Sequence, residues 1–150
     1  MANVRAEVAL RPLEVQTLLN DQRVIILGTL GPDGLPHLAP MWYLPMPDGR
    51  VGMWTYATSQ KALNLRRDPR ATLLVEAGHS YRELRGVSMD CTVRLVEGPD
   101  EVAELGARLA QRYDDAATDN PAAVRRQAHR RVGLIFTATR VRSWDHGKID

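Results

Sequence analysis

The stretch from Val51 to Glu76, VGMWTYATSQKALNLRRDPRATLLVE, constrains the fold most tightly, because its periodicity changes twice in a short span. Met53, Thr55 and Ala57 alternate with Trp54 and Tyr56, a period-two pattern rich in aromatic and β-branched residues, which predicts a strand. Thr58 or Ser59 then offers a hydroxyl to cap a helix. The helix carries Lys61 to Arg67, and Pro69 ends it by pushing its predecessor out of the helical region. Arg70 to Glu76 predicts a second strand, with Ala71, Leu73 and Val75 on one face.

Lys61 is the odd residue. A helix start carries roughly half a positive charge, so carboxylates are favoured there. This first turn has none. It holds Thr58, Ser59, Gln60 and Lys61: hydroxyls, an amide, an ammonium and free backbone N–H groups. Two readings stand: a solvated lysine on an exposed helix, or an anchor for an anion such as phosphate.

The remaining chain supplies more strands than helices. Pro12 to Asn20 reads as a short helix with Val15, Leu18 and Leu19 as its stripe. Arg23 to Leu30 is a buried strand, and Gly31-Pro32-Asp33-Gly34 a turn. Leu35 to Met46 returns as one strand whose Pro36, Pro40 and Pro45 belong at edges or irregular points. Pro47 to Arg50 turns into the central stretch. Ala77 to Ser80 turns again, and Tyr81 to Gly98 is a long strand. Pro99 to Tyr113 is a helix with Asp100 and Glu101 in its first turn and Val102, Leu105 and Leu109 as its stripe. Asp114 to Asn120 is a loop, and Pro121 to Arg130 an arginine-rich helix. Val132 to Val141 is the last strand, and Ser143 to Asp150 a tail. About six strands with Gly/Pro turns and helices inserted late imply a mainly β chain that closes into a small barrel.

Composition narrows the class. A chain of 150 residues predicts a single domain over residues 1–150. With 44% hydrophobic and 25% charged residues it is ordinary for a globular protein. A net charge of +2 gives no argument for nucleic acid without clustering on one face. The one cysteine, Cys91, excludes an intramolecular disulfide and sits in a strand-like setting, as a small core residue. No apolar run reaches the length of a membrane span, and the start MANVRAEVALRPLE lacks a signal-peptide core, so a cytoplasmic location is expected. His37, His79, His129 and His146 show no metal-ligand spacing.

The runs TLGPDGLPHLAPMWY, TYATSQKALNLRRDPRATLLVE and RGVSMDCTVRLVEGPDEV together resemble the flavin-reductase-like split-barrel superfamily, which includes pyridoxamine 5′-phosphate oxidases and flavin/deazaflavin oxidoreductases. The resemblance spans roughly Val15 to Lys148. The Lys61–Asn64–Arg66–Arg67–Asp68–Pro69 run and the closing Ser143–Trp144–Asp145–His146 are similar to the small actinobacterial branch that uses the deazaflavin coenzyme F420.

That resemblance implies a six-stranded antiparallel split barrel forming a homodimer, with cofactor sites at the dimer interface. Pro40, Met41, Trp42 and Tyr43 would lie along the flavin-like ring. Thr55, Tyr56, Ala57 and Thr58 would line the ring and ribityl chain, and Ser59, Gln60 and Lys61 would hold the phosphate. Gln60 stands where pyridoxamine phosphate oxidases often carry arginine, and their arginine-rich C-terminal motif is missing, which weakens a vitamin B6 activity. Trp144 would either cap the ring from the partner subunit or pack the tail onto the barrel. His146 is either a proton donor or an exposed tail residue. Trp54 reads as core, and Arg125, Arg126, Arg130 and Arg131 as a solvated basic face.

Three functions follow from that resemblance. The first is an F420-dependent reductase passing hydride to a small electron-poor molecule, with no catalytic side chain assigned because the cofactor carries the chemistry. The second is an FMN-dependent oxidoreductase on the same barrel. The third is a non-catalytic carrier of a cofactor or haem. Neither a membrane nor a nucleic-acid partner is expected.

Overall fold

Antiparallel pairing organises the computed structural model, which describes residues 3–115 and 120–149. The strands are β1 (Ile25–Leu30), β2 (Pro36–Met41), β3 (Leu44–Pro45), β4 (Val51–Tyr56), β5 (Arg70–Ala77), β6 (Arg85–Val96) and β7 (Arg131–Asp145). They form one sheet curled into a half-barrel, in the order β2-β1-β5-β6-β7-β4-β3. The helices are α1 (Val4–Val8), α2 (Pro12–Asp21), α3 (Gln60–Arg67), α4 (Pro99–Tyr113) and α5 (Pro121–Ala128).

The sheet therefore has seven strands, not six. The difference arises in Leu35 to Met46, expected as one strand. Trp42 and Tyr43 interrupt it, so the segment supplies β2 to one edge of the sheet and β3 to the other. The interruption has a specific cause. Both backbone groups of Tyr43 leave the ladder for the Tyr113 hydroxyl, which accepts from Tyr43 N at 2.9 Å and donates toward its carbonyl at 3.0 Å. Pro36, Pro40 and Pro45, which have no N–H to give, all fall on these two edge strands.

β7 also differs from expectation. It runs on to Asp145, because Arg142, Ser143 and Trp144 continue the pairing with Ser88, Val87 and Gly86. Most of the expected tail is thus strand, followed by a single turn at His146–Lys148. Lys148 Nζ ties that turn to α2 through Glu14 at 2.8 Å. β6 starts later than expected, since Tyr81–Glu83 forms a short 3-10 turn closed by Ser80 and Glu83. α1 was not signalled by the sequence. Of the loop expected from Asp114 to Asn120, residues 116–119 lie outside the described residues.

Period-two burial builds the interior. Ile25 and Leu27 of β1, Met53 of β4, Leu73 and Val75 of β5, and Leu134 and Phe136 of β7 face inward and are fully buried or nearly so. Each such side chain contributes roughly 1.5–3 kcal/mol of burial free energy. α3 adds Ala62 and Leu65 to this interior, and α2 adds Leu18 and Leu19. A second cluster forms outside the sheet, where Val102, Leu105 and Leu109 of α4 pack on Val96 and Ile135. Trp54 belongs to this outer layer. Its ring lies against Gly106 so closely that a Cβ there would fall 2.2 Å from the indole. Among the described residues no helix is long and apolar enough to cross a membrane.

Candidate functional site at the start of α3

The end of β4 and the start of α3 form one polar unit. Ser59 is the N-cap, its hydroxyl accepting from Ala62 N at 3.3 Å. The same hydroxyl lies 3.3 Å from that of buried Thr55. A tight turn, Ser59 N to Tyr56 O at 3.0 Å, joins strand to helix. Four donors are then left over. The amides of Gln60 and Lys61 are first-turn groups that α-helical geometry cannot satisfy, and among the described residues no acceptor meets them. The Thr58 hydroxyl is exposed, and the half-buried Lys61 ammonium has no carboxylate partner among the described residues. No acid occupies this first turn. The arrangement is chemically an anion cradle: amides, a hydroxyl and a cation on a helix start.

The cradle is fixed from behind by Asn64, a residue to which the sequence alone assigned no role in the site. Asn64 is fully buried and donates to the Thr29 hydroxyl on β1 at 3.0 Å. Its carbonyl accepts from Gln60 Nε2 at 2.8 Å. Arg67 reinforces the join by donating to the Leu30 carbonyl. The side-chain amide of Gln60 is therefore spent on positioning, leaving its backbone N–H for a ligand. The signal in the sequence was a polar residue between Ala62 and Leu65 on the face that had to be buried. A buried amide must be paired, so it points to a partner elsewhere in the chain.

The strand expected along the ring is split between two roles. Pro40 is exposed and Met41 half-buried, opposite Ile26 and Ile25 on β1. Trp42 is 50% exposed, with one face stacked on Tyr113 at 4.4 Å and 5° between planes. The other side of the indole remains available. Tyr43 corrects the expectation, because its side chain is 0% exposed and its hydroxyl reaches the Leu19 and Gln22 carbonyls at 2.5 and 2.9 Å. Burial pushes that phenol up to about 12. Tyr43 is a core residue locking α2, and its side chain offers nothing to a surface ligand. Thr29, which holds α3, and Ile26, opposite Pro40, lie three residues apart on β1, so ~10 Å of strand separates the cradle's support from the ring-lining strand. An elongated phosphorylated molecule spans such a distance.

The pyridoxamine 5′-phosphate oxidase family matches this chain over residues 12–145. The chain belongs to that family. Among solved structures, a conserved hypothetical protein from Mycobacterium tuberculosis is 42% identical, with a TM-score of 0.88, covering 97% of this chain and 91% of that one. A structure titled F420 reductase is 23% identical with a TM-score of 0.70, covering 87% of this chain and 98% of its own. A FAD-binding protein from Mesorhizobium loti is 18% identical with a TM-score of 0.63, covering 90% of this chain and 94% of its own. The last two likenesses show the fold alone. Among curated proteins none matches.

Other residues of this family member fall away from the cradle. Trp144 sits on β7 opposite Gly86, four strands from β2, or ~19 Å along the sheet. Its indole lies on Gly86, where a Cβ would be 2.4 Å from the ring, so within its own chain it packs the last strand onto β6. His146 turns back to the Tyr81 carbonyl at 3.1 Å and lies against the Tyr81 ring at 4.6 Å. Cys91 is buried, and burial pushes its thiol up to about 12, which keeps it protonated at neutral pH. Arg125, Arg126 and Arg130 are exposed. Arg131 departs from the solvated reading, because its guanidinium lies over Tyr56 at 4.3 Å and over Trp54 at 4.7 Å. Tyr56 is thereby held beside the cradle while still 51% exposed.

Proposed function

We propose that this chain is an F420-dependent reductase that passes hydride from reduced coenzyme F420 to a small electron-poor organic molecule. The observation that carries the reading is the start of α3, where four unspent donors and no acid suit a phosphate. When bound, the coenzyme supplies a ring carbon that gives up hydride. The chain supplies the rest. Lys61, the amides of Gln60 and Lys61, and the Thr58 hydroxyl hold the phosphate. Thr55, Tyr56 and Ala57 line the path away from it. Pro40, Met41 and Trp42 flank the ring and exclude water from it. No protein nucleophile is needed.

The same cradle accepts the phosphate of FMN, and membership of the pyridoxamine 5′-phosphate oxidase family favours that as the second reading. The resemblance to the deazaflavin branch at Lys61, Asn64 and Arg66–Pro69 supports reading F420 ahead of FMN. A homodimer completes the proposal. Leu30, Leu35 and Leu38 are 40%, 66% and 67% exposed around the β2 edge, an apolar surface that a twofold partner would cover. Titration of the purified protein with F420, FMN and haem, each followed by its absorbance, tests the reading. Saturable binding of F420, with hydride transfer to a quinone or unsaturated carbonyl, is expected. Binding of FMN or haem with no response to F420 would overturn it.

A further inference from the structure

We propose a second anion site at the junction of α2 and α4, served by residues other than those of the α3 cradle. A surface cavity of about 480 Å³ opens there, and Arg23, Arg108 and Arg112 line it with Asn20 and Gln111. Its lining contains no carboxylate. Among the described residues none of the three arginines forms an ion pair.

Part of this cluster has a structural job. Arg112 Nη2 donates to the carbonyls of Leu19, Asn20 and Gln22, satisfying the C-terminal end of α2. Arg23 Nη1 donates to the Arg112 carbonyl at 2.7 Å and does the same for α4. This reciprocal capping uses one terminal nitrogen from each guanidinium, out of five N–H donors apiece. Arg112 Nε is shut from solvent without an acceptor, so carbonyls balance that charge on one edge only. Arg108 is exposed and has no hydrogen-bond partner among the described residues, so capping does not account for it.

Three guanidiniums around one cavity repel one another unless a counter-charge is present. The negative ends of the α2 and α4 dipoles offset some of this, as do the Tyr43 and Tyr113 rings, which lie 5.1 and 5.4 Å from Arg112, with Tyr113 5.5 Å from Arg23; Arg108 has no such ring among the described residues. A small oxyanion, phosphate or carboxylate, matches the planar fork of a guanidinium with paired acceptors. Asn20 and Gln111 add neutral donors at the rim. The ligand class is therefore a small molecule bearing a phosphate or carboxylate group.

Calorimetric titration of the full chain with inorganic phosphate and, separately, with tricarballylate, at constant ionic strength, tests the site. Saturable binding of at least one of them is expected, and the tighter of the two assigns the group. Arg108→Gln should weaken that binding roughly tenfold or more, the loss of a charge-assisted contact, with the melting temperature of the unliganded protein level or slightly raised. Lys61→Ala should leave the Arg108-dependent component intact, which separates this site from the α3 cradle. Binding lost in Lys61→Ala and retained in Arg108→Gln, or no saturable binding of either anion, would overturn the proposal.

Discussion

Lys61 is out of place for folding, and the proposed function gives it a reason to be there. Its ammonium sits on a helix end that already carries positive potential, with no acid in that turn. Replacing it with alanine should weaken binding of a phosphorylated flavin or deazaflavin by about 1.5–3 kcal/mol. The melting temperature of the unliganded protein should stay level or rise slightly. Paired titrations and thermal melts check both halves, and a loss of stability without loss of affinity would assign Lys61 a structural role. The acid-free, serine-capped helix start around Lys61 was legible in the sequence because that environment is local. Tyr43 was not, because its burial depends on carbonyls at Leu19 and Gln22 and on Tyr113, far away in the chain. Gly86 belongs with Tyr43 in this respect. Gly86→Ala would drive a methyl into the Trp144 indole and should cost about 1–3 kcal/mol by overpacking, read from urea denaturation.

At the scale of elements, α3 is the piece whose position matters. Ser59 caps it and Asn64 bolts it to β1. Asn64→Ala should destabilise the fold by about 1–3 kcal/mol, because the Thr29 hydroxyl loses its buried partner and Gln60 its acceptor. Cofactor affinity should fall with it, since the cradle loses its backing, and a chemical melt with a parallel titration reads both. The strand–turn–helix–strand order of Val51 to Glu76 was readable because hydrophobic period, cap and proline all agreed. So was α4, whose span Pro99–Tyr113 follows from its proline, its acids and its stripe. The break between β2 and β3 was not readable. Nothing in the local pattern at Trp42 and Tyr43 differs from a strand, and a hydroxyl from α4 makes the decision. The continuation of β7 was hidden for a similar reason, since its last residues pair only with a strand that begins at Arg85.

For the whole molecule, two buried acids should lower stability at alkaline pH. Tyr43 and Cys91 are both raised to about 12 by burial, from 10.0 and 9.0. Raised folded values favour the neutral groups, so their contribution is complete below about pH 9 and is lost as pH rises toward 12. Circular dichroism between pH 8 and 12 should show stability falling across that window, and a flat profile would remove burial as the cause. The homodimer is a claim at this scale too. Sedimentation at micromolar concentration should give twice the chain mass, whereas a monomer that still binds cofactor would exclude an interface site. The central claim is that the start of α3 grips a phosphate. Its most direct test compares each chromophore with and without its phosphate: FMN against riboflavin, and F420 against its dephosphorylated deazaflavin. The wild-type chain should prefer at least one phosphorylated form by tenfold or more, roughly the worth of one charge-assisted bond, and Lys61→Ala should abolish most of that preference. Equal affinity for the paired forms, or a preference that survives in Lys61→Ala, would contradict the account.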